Sequence, residues 1–280
     1  MKQINSPIFL SLLTFSFFIV SFMATAPLAE ETVGNPAPGY KTHDGNASFK
    51  LAWKISYRKK DIGYSISWFS LKQDQGLDKA KSENNSPMML IEKGIKQFEI
   101  EFGVFKLSYI EKTATTWNSS GLIVSFNSTV EINNTIEKRI FRRGKDGTAY
   151  LTIIKGDKIK EVIHTADEFD FTSGDLYLKR FEDTSGDVTY KVFSLVDGKI
   201  KSFSYVFIGK EEVLATTGVE ECRKIDIQGK SGGGIFLIND MGIALLFDVK
   251  FLLWGFSIIP VDCRGLAQAE KAIANISFSK

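Results

Sequence analysis

Few residues of this chain are of types that do chemistry, and their spacing limits what they could do. Histidine occurs only at His43 and His164. His164 lies in the run Glu161-Val-Ile-His-Thr165, and Asp167 with any of many serines would complete a Ser-His-Asp arrangement, in which the imidazole takes the hydroxyl proton. That spacing arises by chance, and a solvated histidine at a strand end is the plainer reading. Glu168 and Asp170, two apart on an expected strand, would share a face as the paired acids of a glycosidase might. Such pairs normally come from separate strands about 5 to 9.5 Å apart, so a polar rim fits better. Gly229-Lys230-Ser231 imitates the tail of a phosphate-binding loop, yet the glycine required five positions earlier is Lys224, and the motif fails. Zinc sites draw on more histidine than this. The sequence thus assigns no catalytic residue, no metal ligand and no cofactor.

The two cysteines, Cys222 and Cys263, take their meaning from the compartment. Lys2, the apolar run Ile8 to Met23 and the small-residue exit Ala24-Thr25-Ala26 read as a cleavable export signal spanning residues 1–29, cut near Ala26 or Ala29. In an oxidising space the two thiols are expected to close a disulfide, adding about 4 kcal/mol in the chain-entropy treatment. The expected location is periplasmic or secreted, with no integral membrane segment after cleavage. Lysine plus arginine total 35 against 33 aspartate plus glutamate, interspersed, so no basic footprint for nucleic acid or anionic lipid is present.

Residues 30–47 read as a flexible arm rich in Gly, Pro and Asn, and 48–280 as a single β-rich domain. Phe49, Leu51, Trp53, Ile55 and Tyr57 alternate with Lys50, Lys54 and Ser56, the pattern of a half-buried strand. Ile62, Tyr64, Ile66 and Trp68 repeat the alternation after a polar turn at Arg58 to Asp61, predicting a hairpin. Gln73 to Pro87 reads as a surface loop. Further strands are expected over Met89 to Ile100, Val104 to Tyr109 and Leu122 to Ile132. Asp146-Gly147, Gly156-Asp157 and Asp197-Gly198 mark turns of a meander. Ile235 to Ile238 and Ile243 to Pro260 are nearly continuous apolar runs. Asp248 and Lys250 disfavour a membrane helix there, so strands covered on both faces are expected. Leu266 to Ala274 is the one convincing helix.

Aromatic residues supply the remaining candidates, with 23 Phe, 8 Tyr and 4 Trp. Trp53 and Trp68 are expected on one apolar face of adjacent strands, where with Phe126 they could line a concave surface. Core packing is the competing account of each. Gly232-Gly233-Gly234 reads as a turn or bulge where another backbone or a ligand approaches.

Ile62-Gly63 after the polar hairpin, then Tyr109-x₇-Trp117-x₃-Gly121-Leu122 before a long alternating strand, resemble exported bacterial β-proteins catalogued as domains of unknown function. Those are similar in architecture to lipoprotein-carrier-like open half-barrels. The resemblance covers Phe49 to Asp262 and implies an all-β, mainly antiparallel open curved sheet of about ten strands with one short C-terminal helix. The cysteine pair and the long C-terminal apolar segment fall outside that pattern, and no catalytic residue carries over. The leading functional expectation is binding or carriage of a hydrophobic, lipid-like ligand by Trp53, Trp68 and Phe126. The alternative is a structural or protein-interaction module of the cell envelope that adds a partner strand at a sheet edge or at Gly232 to Gly234. An outer-membrane barrel and a hydrolase are the weaker readings, the latter with His164 as its candidate base.

Overall fold

The computed structural model describes residues 41–43, 46–73, 88–102, 105–175, 188–230, 232–240, 242–251 and 254–273. The export signal, the early part of the arm and the loop after Gln73 lie outside the described residues.

The alternation beginning at Phe49 becomes a long strand, and its neighbours follow in a meander. The strands are β1 (Lys41–His43), β2 (Asn46–Tyr57), β3 (Lys60–Gln73), β4 (Met88–Phe102), β5 (Phe105–Trp117), β6 (Ile123–Ile132), β7 (Thr135–Arg143), β8 (Ala149–Lys155) and β9 (Lys158–His164). They continue as β10 (Phe171–Thr172), β11 (Val188–Phe193), β12 (Ile200–Ala215), β13 (Gly218–Gly229), β14 (Gly232–Asn239), β15 (Ala244–Phe251) and β16 (Trp254–Pro260). One helix, α1 (Cys263–Ile273), follows. Among the described residues sixteen strands therefore stand where about ten were expected. Lys41–His43 pairs antiparallel with β2, so the end of the expected arm is part of the sheet.

All strands belong to one sheet, in the order β10-β11-β12-β13-β14-β15-β16-β2-β3-β4-β5-β6-β7-β8-β9, with β1 beside β2. Every pairing is antiparallel except the short β10–β11 contact. Two meanders, β2 to β9 and β11 to β16, are joined where β16 pairs with β2. Arg58 and Lys59 adopt left-handed φ of 49° and 65°, giving the two-residue turn whose twist suits the β2–β3 hairpin. Asn133 and Asn134 do the same between β6 and β7.

No ladder joins β9 to β10, so among the described residues the sheet is open. Its ends meet through side chains instead. Phe193 on β11 lies 6.2 Å from Phe141 on β7 and 5.2 Å, edge-on, from His164 on β9. One face of the sheet, the inner one, carries the main core, which includes Phe49, Trp53, Phe69, Phe126, Phe141, Phe193 and Phe247. The other face is covered where α1 packs on it, through Ala52, Ile66, Ile95 and Ala269. Asp262 caps this helix, its Oδ1 accepting from the N–H groups of Arg264 (3.0 Å) and Gly265 (2.9 Å). No helix among the described residues is long and apolar enough to cross a membrane.

The expected disulfide is not seen among the described residues. Cys222 on β13 is a free thiol, fully buried among the inner-face core residues. Cys263 opens α1, which packs against the outer face, with β14, β15 and β16 lying between β13 and the strands under the helix.

Candidate functional site

Strands β3 to β7 present an inner wall whose middle is polar rather than apolar. The register sets this layer. On β4 the even-numbered residues face inward, so Glu92, Gly94 and Lys96 follow Leu90 and precede Phe98. Across β5, Glu111 pairs with Lys96, Thr113 with Gly94 and Thr115 with Glu92. Ser65 and Ser67 meet them from β3, Ser128 from β6 and Arg139 from β7. Glu92, Lys96, Glu111 and Arg139 are each 5% exposed or less.

Each of these buried charges has partners, as low polarity around them requires. Glu111 is the hub. Its Oε2 accepts from the Tyr109 hydroxyl (2.8 Å) and from Lys96 Nζ (3.2 Å), and its Oε1 accepts from Ser128 Oγ (2.8 Å). Arg139 NH1 lies 3.9 Å from the same Oε1, while its NH2 and Nε bind Glu137 Oε1 at 2.7 and 2.8 Å. Burial pushes the Glu111 carboxyl up, but Lys96, Arg139 and the two hydroxyls together outweigh it and hold it below its ordinary range. Burial holds the Lys96 ammonium below its usual value, with Glu111 opposing. Burial and the adjacent Glu111 raise Tyr109 well above the usual phenol range.

Glu92 stands apart from that hub. Its Oε1 accepts from Ser67 Oγ at 2.5 Å, and burial pushes its carboxyl up to about 7, with Ser67, Lys96 and Thr115 opposing. Beside it is a cavity of about 20 Å³, room for one water, lined by Ser65, Ser67, Glu92, Lys96, Thr113 and Thr115 on the polar side. Gly94 keeps this space open: a Cβ there would come within 2.5 Å of Thr113 Oγ1. Trp117, Phe126, Gly174 and Leu195 line its other side.

The cover is a strap made of Phe171 to Asp175. Trp117 Nε1 donates to Gly174 O at 2.7 Å. Asp175 accepts from the N–H groups of Ile123 and Thr172 (both 2.7 Å) and binds Arg143 NH2 through both carboxylate oxygens, at 2.7 and 2.6 Å.

The residues singled out from sequence fall differently. Trp53 and Phe126 share the inner core, 0% and 3% exposed, and Trp53 Nε1 donates to Leu245 O at 2.9 Å. Trp68 does not join them. It pairs with Lys50 and lies on the outer face, packed with Tyr64 and Leu266 around α1. The expected single face fails because β3 is apolar on both sides: Ile66 and Trp68 meet the helix, while Phe69 and Leu71 meet the core.

The remaining motifs have structural explanations. Glu168 and Asp170 lie in the turn after β9, not on a strand. Glu168 Oε2 accepts from the Thr165 N–H (2.8 Å), and Asp170 Oδ2 from the Lys191 N–H (2.6 Å). His164 Nδ1 lies 3.2 Å from Glu168 Oε2. Gly233 and Gly234 sit inside β14, paired on both sides, where a Cβ would come within 2.2 Å of Ile227 O and 2.5 Å of Asp248 O respectively. They admit neighbouring backbone and leave no free edge for a partner strand. Among the described residues no group of three His, Cys, Asp or Glu side chains is placed to hold a metal ion.

Sequence reasoning missed the buried layer and did not single out Glu92, Lys96, Glu111 or Arg139, because charged residues at strand period have the pattern of a solvated face. One signal was present: Gly94 sits between two charged residues at strand period, a place where an exposed strand gains nothing from glycine.

The strand ladder defines an open β half-barrel with one short C-terminal helix. No family model and no curated protein matches the chain. Among solved structures it is similar to a β-barrel-like protein of domain of unknown function DUF1849 from Brucella abortus, at 9% identity and a TM-score of 0.49, covering 76% of this chain and 95% of that one. It is also similar to a DUF1089 family protein from Pseudomonas aeruginosa, at 10% identity and a TM-score of 0.34, covering 65% of this chain and 88% of that one.

Proposed function

We propose that the chain is an exported protein of the cell envelope whose sheet binds a protein partner along its free edge. The observation that carries this reading is β9. It pairs with β8 alone among the described strands, leaving a row of backbone groups without a neighbouring strand. Ile159 and Ile163 stand 67% and 61% exposed on that strand, and Tyr150, opposite Ile163 on β8, extends the apolar strip. An edge with these features suits an extended segment that adds backbone hydrogen bonds and seats alternate side chains. The leader-like residues 1–29 support export.

Carriage of a lipid-like ligand has less support. Trp68 lies on the far face from Trp53 and Phe126, and charged, hydrogen-bonded groups occupy the middle of the inner wall. The test is affinity capture from envelope fractions with the wild type and with Ile159→Lys/Ile163→Lys. A partner retained by the wild type and released by the double variant is the expected result. Equal capture by both proteins would overturn the edge reading, as would a saturable apolar ligand found by mass spectrometry on the purified wild type.

A further inference from the structure

The polar layer contains one carboxyl more than its cations balance. Lys96 and Arg139 face Glu111 and Glu137, pairing charge for charge, and Glu92 is the fifth group. Ionised, it would leave a net negative charge on a buried group beside a water-sized space, which low polarity penalises heavily. Gly174 of the strap and Leu195 line one side of this space. The strap's hold on the wall is itself polar, through Arg143–Asp175 and the Trp117–Gly174 hydrogen bond. Its far side rests on β11 and the loop after it, where Ser173 N donates to Phe193 O (2.8 Å) and Leu195 N donates to Ser173 Oγ (3.0 Å).

We infer that Glu92 and the strap Phe171 to Asp175 form a proton-operated latch, closed while Glu92 carries its proton and loosened when the proton leaves to solvent. An ionised Glu92 is stabilised by water, and lifting Gly174 away from the cavity it lines with Leu195 would admit more of it. The ionised form therefore favours a lifted strap, and the protonated form a seated one. The carboxyl near 7 places this exchange around neutral pH. The charged and titratable groups around it are Lys96 on its own strand, Tyr109 and Glu111 on β5, Glu137 and Arg139 on β7, and Asp175 with Arg143 at the strap. Ser65 and Ser67 on β3 and Ser128 on β6 add only hydroxyls. His164 touches the strap's support through Phe193 and needs its own control.

The experiment is hydrogen exchange of the full chain between pH 5 and 9, corrected for intrinsic rates and read on peptides covering 171–175 and 193–198. In the wild type, protection of these amides is expected to fall about tenfold through neutrality, and in Glu92→Gln to stay flat. His164→Asn should respond as the wild type does. A flat wild type, an equal fall in Glu92→Gln, or loss of the fall in His164→Asn would overturn the latch. Should Glu92→Gln fail to fold, carboxyl-carbon NMR titration of the wild type decides. A Glu92 midpoint near neutrality, with strap resonances moving in step, supports the latch, and an ordinary carboxylate midpoint overturns it.

Discussion

Trp53 and Trp68, on paired strands, point to opposite sides of the sheet, Trp53 opposite Ser65 in the inner core and Trp68 opposite Lys50 under the helix. The two rings do different work. Trp53 is fully buried and its indole N–H satisfies Leu245 O, whereas Trp68 is part-buried at the rim of a small cluster. Trp53→Ala should destabilise the fold by about 3 to 5 kcal/mol, and Trp68→Ala by about 1 kcal/mol. Urea unfolding of both variants measures the difference, and equal losses would contradict the assigned faces.

Arg143 and Asp175 hold the strap to β7, with side chains 10% and 2% exposed. Removing one partner leaves the other charge buried without compensation, so Arg143→Met or Asp175→Asn should cost about 3 to 5 kcal/mol. Limited proteolysis should then cut first within 169–175. Cleavage there at the wild-type rate would show that the pair does not secure the strap.

Glu92 sets an alkaline limb to stability. Its carboxyl is raised from 4.5 in the unfolded chain to about 7 when folded, so its contribution is full below 4.5 and is lost as pH rises through 7. The loss amounts to about 3 kcal/mol. The stability of Glu92→Gln relative to wild type should therefore rise between pH 4.5 and 7 and level off above. Glu111, held below its ordinary range, acts in the opposite direction, its contribution being lost in acid. Denaturant unfolding over a pH series gives both limbs, and parallel curves for the two proteins would refute the Glu92 assignment.

Cys222 is a free thiol, and burial, with nearby Glu220, Asp240 and other carboxylates, pushes it up to about 12. Thiolate is the reactive form, so alkylation of Cys222 in the folded protein should be slow and should quicken on unfolding. A reducing agent should leave the unfolding midpoint where it was. A midpoint that drops on reduction would restore the bridge that the buried thiol argues against.

Period-two patterning carried most of the architecture. The β2–β3 hairpin, the turns at Gly147, Gly156 and Gly198, and the strands made from Ile235 to Ile238 and Ile243 to Pro260 all follow from it. α1 begins at Cys263, three residues before the expected start, because Asp262 supplies the cap. Strand count was not legible, since the links between β12 and β16 carry no Asn-Gly or Asp-Gly pair.

Facing was the harder matter. Trp68 was misplaced because a strand buried on both sides has no single apolar phase, and a helix more than 190 residues away in sequence supplies the second cover. Glu92, Lys96, Glu111 and Arg139 were invisible for the converse reason. Charged residues at strand period look solvated in one dimension, and only the pairing of β4 through β7 shows that they solvate one another.

The seam where β16 meets β2 bears on how the molecule assembles. Across it Trp53 finds its carbonyl partner 192 residues further on, so a growing or emerging chain completes β2 to β9 long before the strand that covers β2 exists. Loop closure on that scale slows folding, and the waiting half-sheet exposes a second unsatisfied border with Phe49, Leu51 and Ile55 beside it. A rearranged chain that starts at β11 and runs through the seam would fold with the two halves already contiguous in sequence.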